Sequence, residues 1–146
     1  MKTSVWSVCL LSLGSMLFAS ESSATTYAGQ SCNSSSAGVS LSYSDFGATN
    51  SSSSGISISC PLTRVKDGGT NSVSAVIYFV NDGKTKTCFL DNFSIDTGGL
   101  GVWTSVSGVS RMVFPTLSTT LQWQPLTLNC SLPAGSKVNG YFLAES

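Results

Sequence analysis

Cysteines, carboxylates and tryptophans carry most of the chemistry available to this 146-residue chain, and no histidine stands beside them. That absence excludes Ser-His-Asp and Cys-His catalysis, His-ligated zinc or copper, and the usual general base near neutral pH. Cysteine can act as nucleophile, metal ligand or disulfide. Cys32, Cys60, Cys88 and Cys130 follow one another at spacings of 28, 28 and 42 residues, with Cys9 apart from them in an apolar amino-terminal run. No C-x-x-C pair exists, so the spacing favours structural disulfides over zinc binding or thiol exchange. Four cysteines allow three connectivities. The sequential one, Cys32–Cys60 and Cys88–Cys130, is expected. It staples the amino-terminal part, and it ties the partner of the central strand to the end of the long late strand.

The carboxylates offer less. Asp91 and Asp96 flank Asn92 beside a run of glycines. Calcium would use such oxygens, but no D-x-D-x-D-G pattern accompanies them. A glycosidase needs two acids facing each other across a sugar bond, and two on one turn are poorly placed for that. Turn formation explains the same residues more simply. Trp103 and Trp123 are the candidate ligand contacts, because exposed indole faces can stack on sugars. The plainer reading puts Trp123 in the core and Trp103 over a sheet edge. N-x-S/T triplets occur at Asn33, Asn50, Asn92 and Asn129, and matter only in a eukaryotic secretory pathway. No catalytic residue, cofactor or metal ligand is assigned.

The first 24 residues give the cysteines their setting. Lys2 precedes the apolar run Val5–Phe18, and small polar residues lead to Ala24. That is the order of a cleaved secretory signal peptide. Removing residues 1–24 takes away Cys9, leaves an even set of four, and leaves no stable membrane span. Residues 25–146 then form a single disulfide-bonded domain in a secreted, periplasmic or extracellular setting. Charged residues are only 10% of the chain and its net charge is zero. Nucleic acid is excluded as a partner on that ground, since phosphate binding needs a concentrated basic surface.

The elements that must position these residues read as strands. Val39, Leu41 and Tyr43 alternate with serines, and Ile56, Ile58 and Cys60 repeat the pattern up to Pro61. Val73–Val80 is apolar on both faces, as an interior strand is. Ile77 and Phe79 share one face; Val76, Tyr78 and Val80 share the other. Asn81-Asp82-Gly83 then predicts a hairpin back along Thr85–Phe93. Gly98–Gly101 reads as a turn before Val102-Trp103, and Ser110–Phe114 as a short strand. Thr119–Cys130 reads as one long strand whose phase slips at Pro125, which suggests a bulge. Lys137–Leu143 is the last strand. No helical periodicity competes. The fold class is therefore all-β, an antiparallel two-sheet β-sandwich, with a small β-barrel as the alternative.

The mature region resembles a group of small, uncharacterised, secreted bacterial proteins with four cysteines. The matching residues are an early cysteine, Ser59-Cys60-Pro61-Leu62-Thr63-Arg64, a Val/Tyr-rich strand closing on Asn81-Asp82, a third cysteine, and Asn129-Cys130-Ser131-Leu132-Pro133-Ala134-Gly135-Ser136. The resemblance implies an all-β domain with two disulfides, exported across a bacterial inner membrane. It implies no activity. A weaker likeness is to fimbrial and spore-coat-type subunits, from whose terminal strand the ending Leu143-Ala144-Glu145-Ser146 departs. Together these observations lead to the expectation of a secreted, non-enzymatic structural or surface-interaction protein. A carbohydrate-binding module is the first alternative, and a secreted enzyme or inhibitor the second. A glycan or another surface protein is the expected kind of partner.

Overall fold

The computed structural model describes residues 23–64, 70–94, 99–121 and 125–146, a few of them at strand ends by their backbone alone. Among the described residues twelve strands form two antiparallel sheets. The seven-stranded sheet holds β1 (Ser23–Ala28), β3 (Leu41–Ser44), β4 (Gly47–Asn50), β6 (Thr70–Phe79), β9 (Arg111–Val113), β10 (Leu117–Leu121) and β12 (Lys137–Glu145). The five-stranded sheet runs β2 (Asn33–Ser34), β5 (Ile56–Leu62), β11 (Leu126–Leu132), β7 (Lys86–Ser94) and β8 (Gly99–Gly108). The strands stay in two separate sheets, as a sandwich, and do not close into a barrel. Among the described residues the helical content is one 3₁₀ turn, Gly29–Ser31.

Serine alternation drives this arrangement. Every second residue of β5 (Ile56, Ile58, Cys60, Leu62) and β11 (Leu126, Leu128, Cys130, Leu132) is buried, and the serines and threonines between them face outward. The opposite wall of the core is Val73, Ala75, Ile77 and Phe79 of β6 with Val138, Tyr141 and Leu143 of β12. Of the two faces grouped in the sequence, the one with Ile77 and Phe79 is buried in the core, and on the other Tyr78 and Val80 are exposed while Val76 is buried. β6 is also interior, with β12 on one side and β9 and β10 on the other.

The structure joins Cys32 to Cys60 and Cys88 to Cys130. Both bridges lie between neighbouring strands on the core side of the five-stranded sheet. Cys88 is directly opposite Cys130 in the β7–β11 register. Pro61, expected to limit the ladder, is instead accommodated inside β5. β2 reaches only as far as Ser59, so no amide is required of Pro61 on that side. The Pro61 carbonyl accepts the Tyr141 hydroxyl at 2.9 Å.

The hairpin from Val73–Val80 to Thr85–Phe93 does not form: β6 belongs to one sheet and β7 to the other, so residues 80–85 arch between them. Asn-Asp-Gly supplies the turn, with Gly83 at φ +73°, but both edges of β6 are already taken by other strands. The supposed bulge at Pro125 is likewise a crossing. The chain leaves the seven-stranded sheet at Leu121 and enters the other at Leu126, which shifts the phase of its apolar residues. The glycine-rich stretch is also longer in strand than expected, since β8 begins at Gly99. β1 was not anticipated from the sequence. Of the expected leader, residues 1–22 lie outside the described residues, while Ser23 and Ala24 pair with Glu145 and Ala144.

Candidate functional site

Two surfaces and one polar cluster stand out. The cluster closes one end of the sandwich. Lys86 is fully buried, with its Nζ donating to the Asp82 carboxylate and to the Val109 carbonyl (3.1 Å). Its ammonium also lies 5.7 Å from the centre of the Phe79 ring, a cation–π contact. Asp82 accepts from the Ser136 hydroxyl (2.5 Å) and the Lys84 amide (3.0 Å). Nearby, the buried Asn50 side chain donates to the Ser54 and Leu132 carbonyls and accepts from Ser52. Four connections between strands are thus tied by polar groups with partners. A second ion pair, with both side chains buried, is Arg64 Nε to Glu145 Oε1 at 2.8 Å, and it joins the end of β5 to the end of β12. A buried pair contributes little net stability, but removing one partner strands the other charge.

Loss of water around Asp82 pushes its carboxyl pKa up. The Lys86 ammonium, the Ser136 hydroxyl and the Lys84 amide outweigh that and hold it well below the usual carboxylate range. The depressed value makes this group stabilising above its unfolded pKa, about 3.9, and that contribution disappears as pH falls further through the folded value. Asp82→Asn is therefore expected to melt below the wild type at pH 7, with the difference shrinking between about pH 4 and pH 2. Thermal melts across that range check it. A constant difference would exclude Asp82 as the titrating group.

The first surface is on the outer face of the seven-stranded sheet. A cleft of about 360 Å³ opens there, lined by Thr26, Tyr27, Phe46, Tyr78, Asn139 and Phe142 among others. Phe46 sits in the tight turn between β3 and β4 and is 77% exposed. Tyr78 and Phe142 lie with centroids 6.5 Å apart and planes tilted by 31°. Tyr27 stacks on Tyr141 at 4.9 Å, and its hydroxyl both donates to the Thr63 carbonyl and accepts the Thr63 amide, each at 2.8 Å. These two rings share the core face of the sheet with Ile77, so Tyr78 and Phe142, on its other face, present their rings to the cleft. Burial, with the neighbouring Tyr27 adding to it, pushes the Tyr141 phenol up to about 12, against the opposing hydrogen bond with Ser31. Gly140 forms part of the cleft lining, and a Cβ there would come within 2.8 Å of the Tyr27 carbonyl oxygen.

The second surface is the outer face of the five-stranded sheet. Trp103 takes the register position opposite Asp91, which accepts from Asn129 Nδ2 at 2.9 Å. Its side chain, like all of Trp123 and Asp96, lies outside the described residues. Among the described residues no group of three potential metal ligands gathers, and no helix is long and apolar enough to cross a membrane. The sequence offered the tryptophans as candidate contacts and did not point to the cleft. Its one legible signal is Asp45-Phe46-Gly47, a ring placed in turn chemistry, where it has no core to enter.

No family model and no curated protein matches the chain. Among solved structures it is similar to the Podospora anserina GH26-CBM35 β-(1,4)-mannanase, at 12% identity and a TM-score of 0.43, over 84% of this chain and 28% of that one. It is also similar to the CBM36-1 domain of a multidomain xylanase from the hindgut metagenome of Trinervitermes trinervoides. That match has 14% identity and a TM-score of 0.44, over 85% and 97% of the two chains. A third is TmCBM61 in complex with β-1,4-galactotriose, at 11% identity and a TM-score of 0.44, over 85% and 88%. The chain thus spans less than a third of the mannanase.

Proposed function

We propose that the protein is a secreted, non-enzymatic binding domain that takes a neutral glycan in the cleft of the seven-stranded sheet. The observation that carries this reading is Phe46, a ring held 77% exposed at the cleft. With Tyr78 and Phe142 it offers apolar faces for the C–H side of a sugar ring, while Asn139 and Thr26 offer hydrogen-bonding groups for hydroxyls. Apolar walls with a few polar groups are the usual make-up of a ligand site. The lack of histidine supports a non-catalytic role. Two disulfides fit an oxidising, extracytoplasmic compartment.

Titration calorimetry with soluble manno-, xylo-, cello- and galacto-oligosaccharides tests the reading. Binding to at least one series is expected. Phe46→Ala and Tyr78→Ala should each weaken it about 2- to 12-fold, the range for losing one aromatic contact. Phe46→Ala removes a ring that is 77% exposed, so its melting temperature should hold. Absence of binding in every series, or unchanged affinity in both variants, would reject the cleft as a glycan site.

A further inference from the structure

The register of the five-stranded sheet places its outward residues in rows. One row crosses all five strands: Asn33 opposite Ser59, Ser59 opposite Asn129, Asn129 opposite Phe89, and Phe89 opposite Ser105. A second holds Ser57, Ser131, Thr87 and Ser107 in the same way. Strands lie about 4.8 Å apart, so the five-residue row spans roughly 19 Å.

In a chain with only 10% charged residues, this face leaves two rows of hydroxyls, amides and one ring open to water. Open sheet faces and edges ordinarily carry lysine and glutamate, which keep neighbouring molecules off. In these two rows no residue is charged, and the adjoining Asp91 is engaged with Asn129. Hydroxyls and amides both donate and accept, so they match an uncharged polyol far better than an ion or an apolar partner. Phe89, 40% exposed within the first row, adds a ring that can meet the C–H face of a sugar. The Asn129 amide is held in place by Asp91 at 2.9 Å and Thr127 Oγ1 at 3.3 Å, so little freedom is lost when it meets a ligand.

We propose that this outer face is a second binding surface, for an uncharged polysaccharide lying across the strands along the row Asn33–Ser59–Asn129–Phe89–Ser105. The strand spacing is about the length of one sugar residue, so successive residues meet successive strands. Each contact is weak, and many of them along an extended solid give retention through avidity. The surface lies on the opposite sheet from the cleft and does not depend on it.

Depletion of the exported protein by microcrystalline cellulose, chitin and insoluble mannan tests the proposal. Retention on at least one solid is expected, and it should survive 1 M salt because no ion pair is involved. Ser59→Glu with Phe89→Ser places an unpaired carboxylate and removes the ring, and should cut retention about tenfold or more. Ser107→Glu, at an exposed position in the second row, gives an independent check if the double variant melts early. No retention on any of the three solids overturns the proposal. So does retention equal to wild type in folded forms of these variants. Retention lost in Phe46→Ala but kept in the Phe89 variant would assign it to the cleft and reject this surface. Retention alongside a failed oligosaccharide titration would keep this surface and reject the cleft.

Discussion

Ile77→Asp is expected to abolish export of folded protein, or to lower its melting temperature by more than ten degrees. Ile77 is fully buried in the middle of β6. It pairs with Tyr141 on β12 and with Met112 on β9, so its side chain points into the space between the sheets from the centre of one of them. An aspartate there has no partner within the core. Burying an unpaired carboxylate costs several kcal/mol even when the group takes up a proton to avoid ionising. The lost packing of the isoleucine adds about 2 kcal/mol or more. A domain of this size has roughly 5–15 kcal/mol of net stability, so this one change removes a large share of it. Val113→Thr provides the contrast. Val113 also pairs with β6, opposite Val76, but is 48% exposed, and its replacement should stay within about 0.5 kcal/mol. Thermal melts of the two variants decide the matter. Equal melts for Ile77→Asp and wild type would mean that β6 does not occupy the interior of its sheet.

Which of the two apolar faces of β6 is buried was not readable without a structure. That Ile77 shares a face with Phe79 was, because a strand writes its two faces into every second residue. The same holds for Ile56, Ile58 and Cys60, and for Leu126, Leu128 and Cys130. What a strand does not write is its partner. Asn81-Asp82-Gly83 suits a hairpin, yet the chain arches to the other sheet. The deciding contacts there come from Ser136 and Val109, more than twenty residues away. Lys86 shows the same limit. In Thr85-Lys86-Thr87 it reads as a surface residue, and only the arch brings Asp82 and the Val109 carbonyl to its buried ammonium. β1 carries no strong apolar alternation and no buried side chain among those described. Its hold on β12 comes from backbone pairing and the Tyr27–Tyr141 stack. The cleft was hidden for a related reason: Phe46, Tyr78 and Phe142 come from three separate segments.

Removing the two disulfides should have different consequences although the loop-entropy cost is similar. Closing 28 and 42 residues, the bridges constrain the unfolded chain by about 3.6 and about 4 kcal/mol. Cys88→Ala with Cys130→Ala acts inside the five-stranded sheet. There β7 and β11 remain paired from Thr87–Ser131 to Asn92–Leu126 without the bridge, so the native arrangement persists and the loss falls on global stability. Its melting temperature should drop by roughly 12–24 °C for a domain of about 120 residues. Cys32→Ala with Cys60→Ala acts at an edge. β2 pairs with β5 at only two positions, Asn33–Ser59 and Ser34–Ile58. The main remaining ties are the Ser35 contacts to the Ser57 carbonyl and the Tyr43 hydroxyl bond to the Cys32 carbonyl. Without the bridge this segment can open while the rest stays folded. Hydrogen exchange should then show protection lost around residues 32–35 at conditions where β5, β7 and β11 remain protected. Uniform loss of protection in both variants would show that the edge and the sheet interior unfold as one unit, and that β2 is held by more than its bridge.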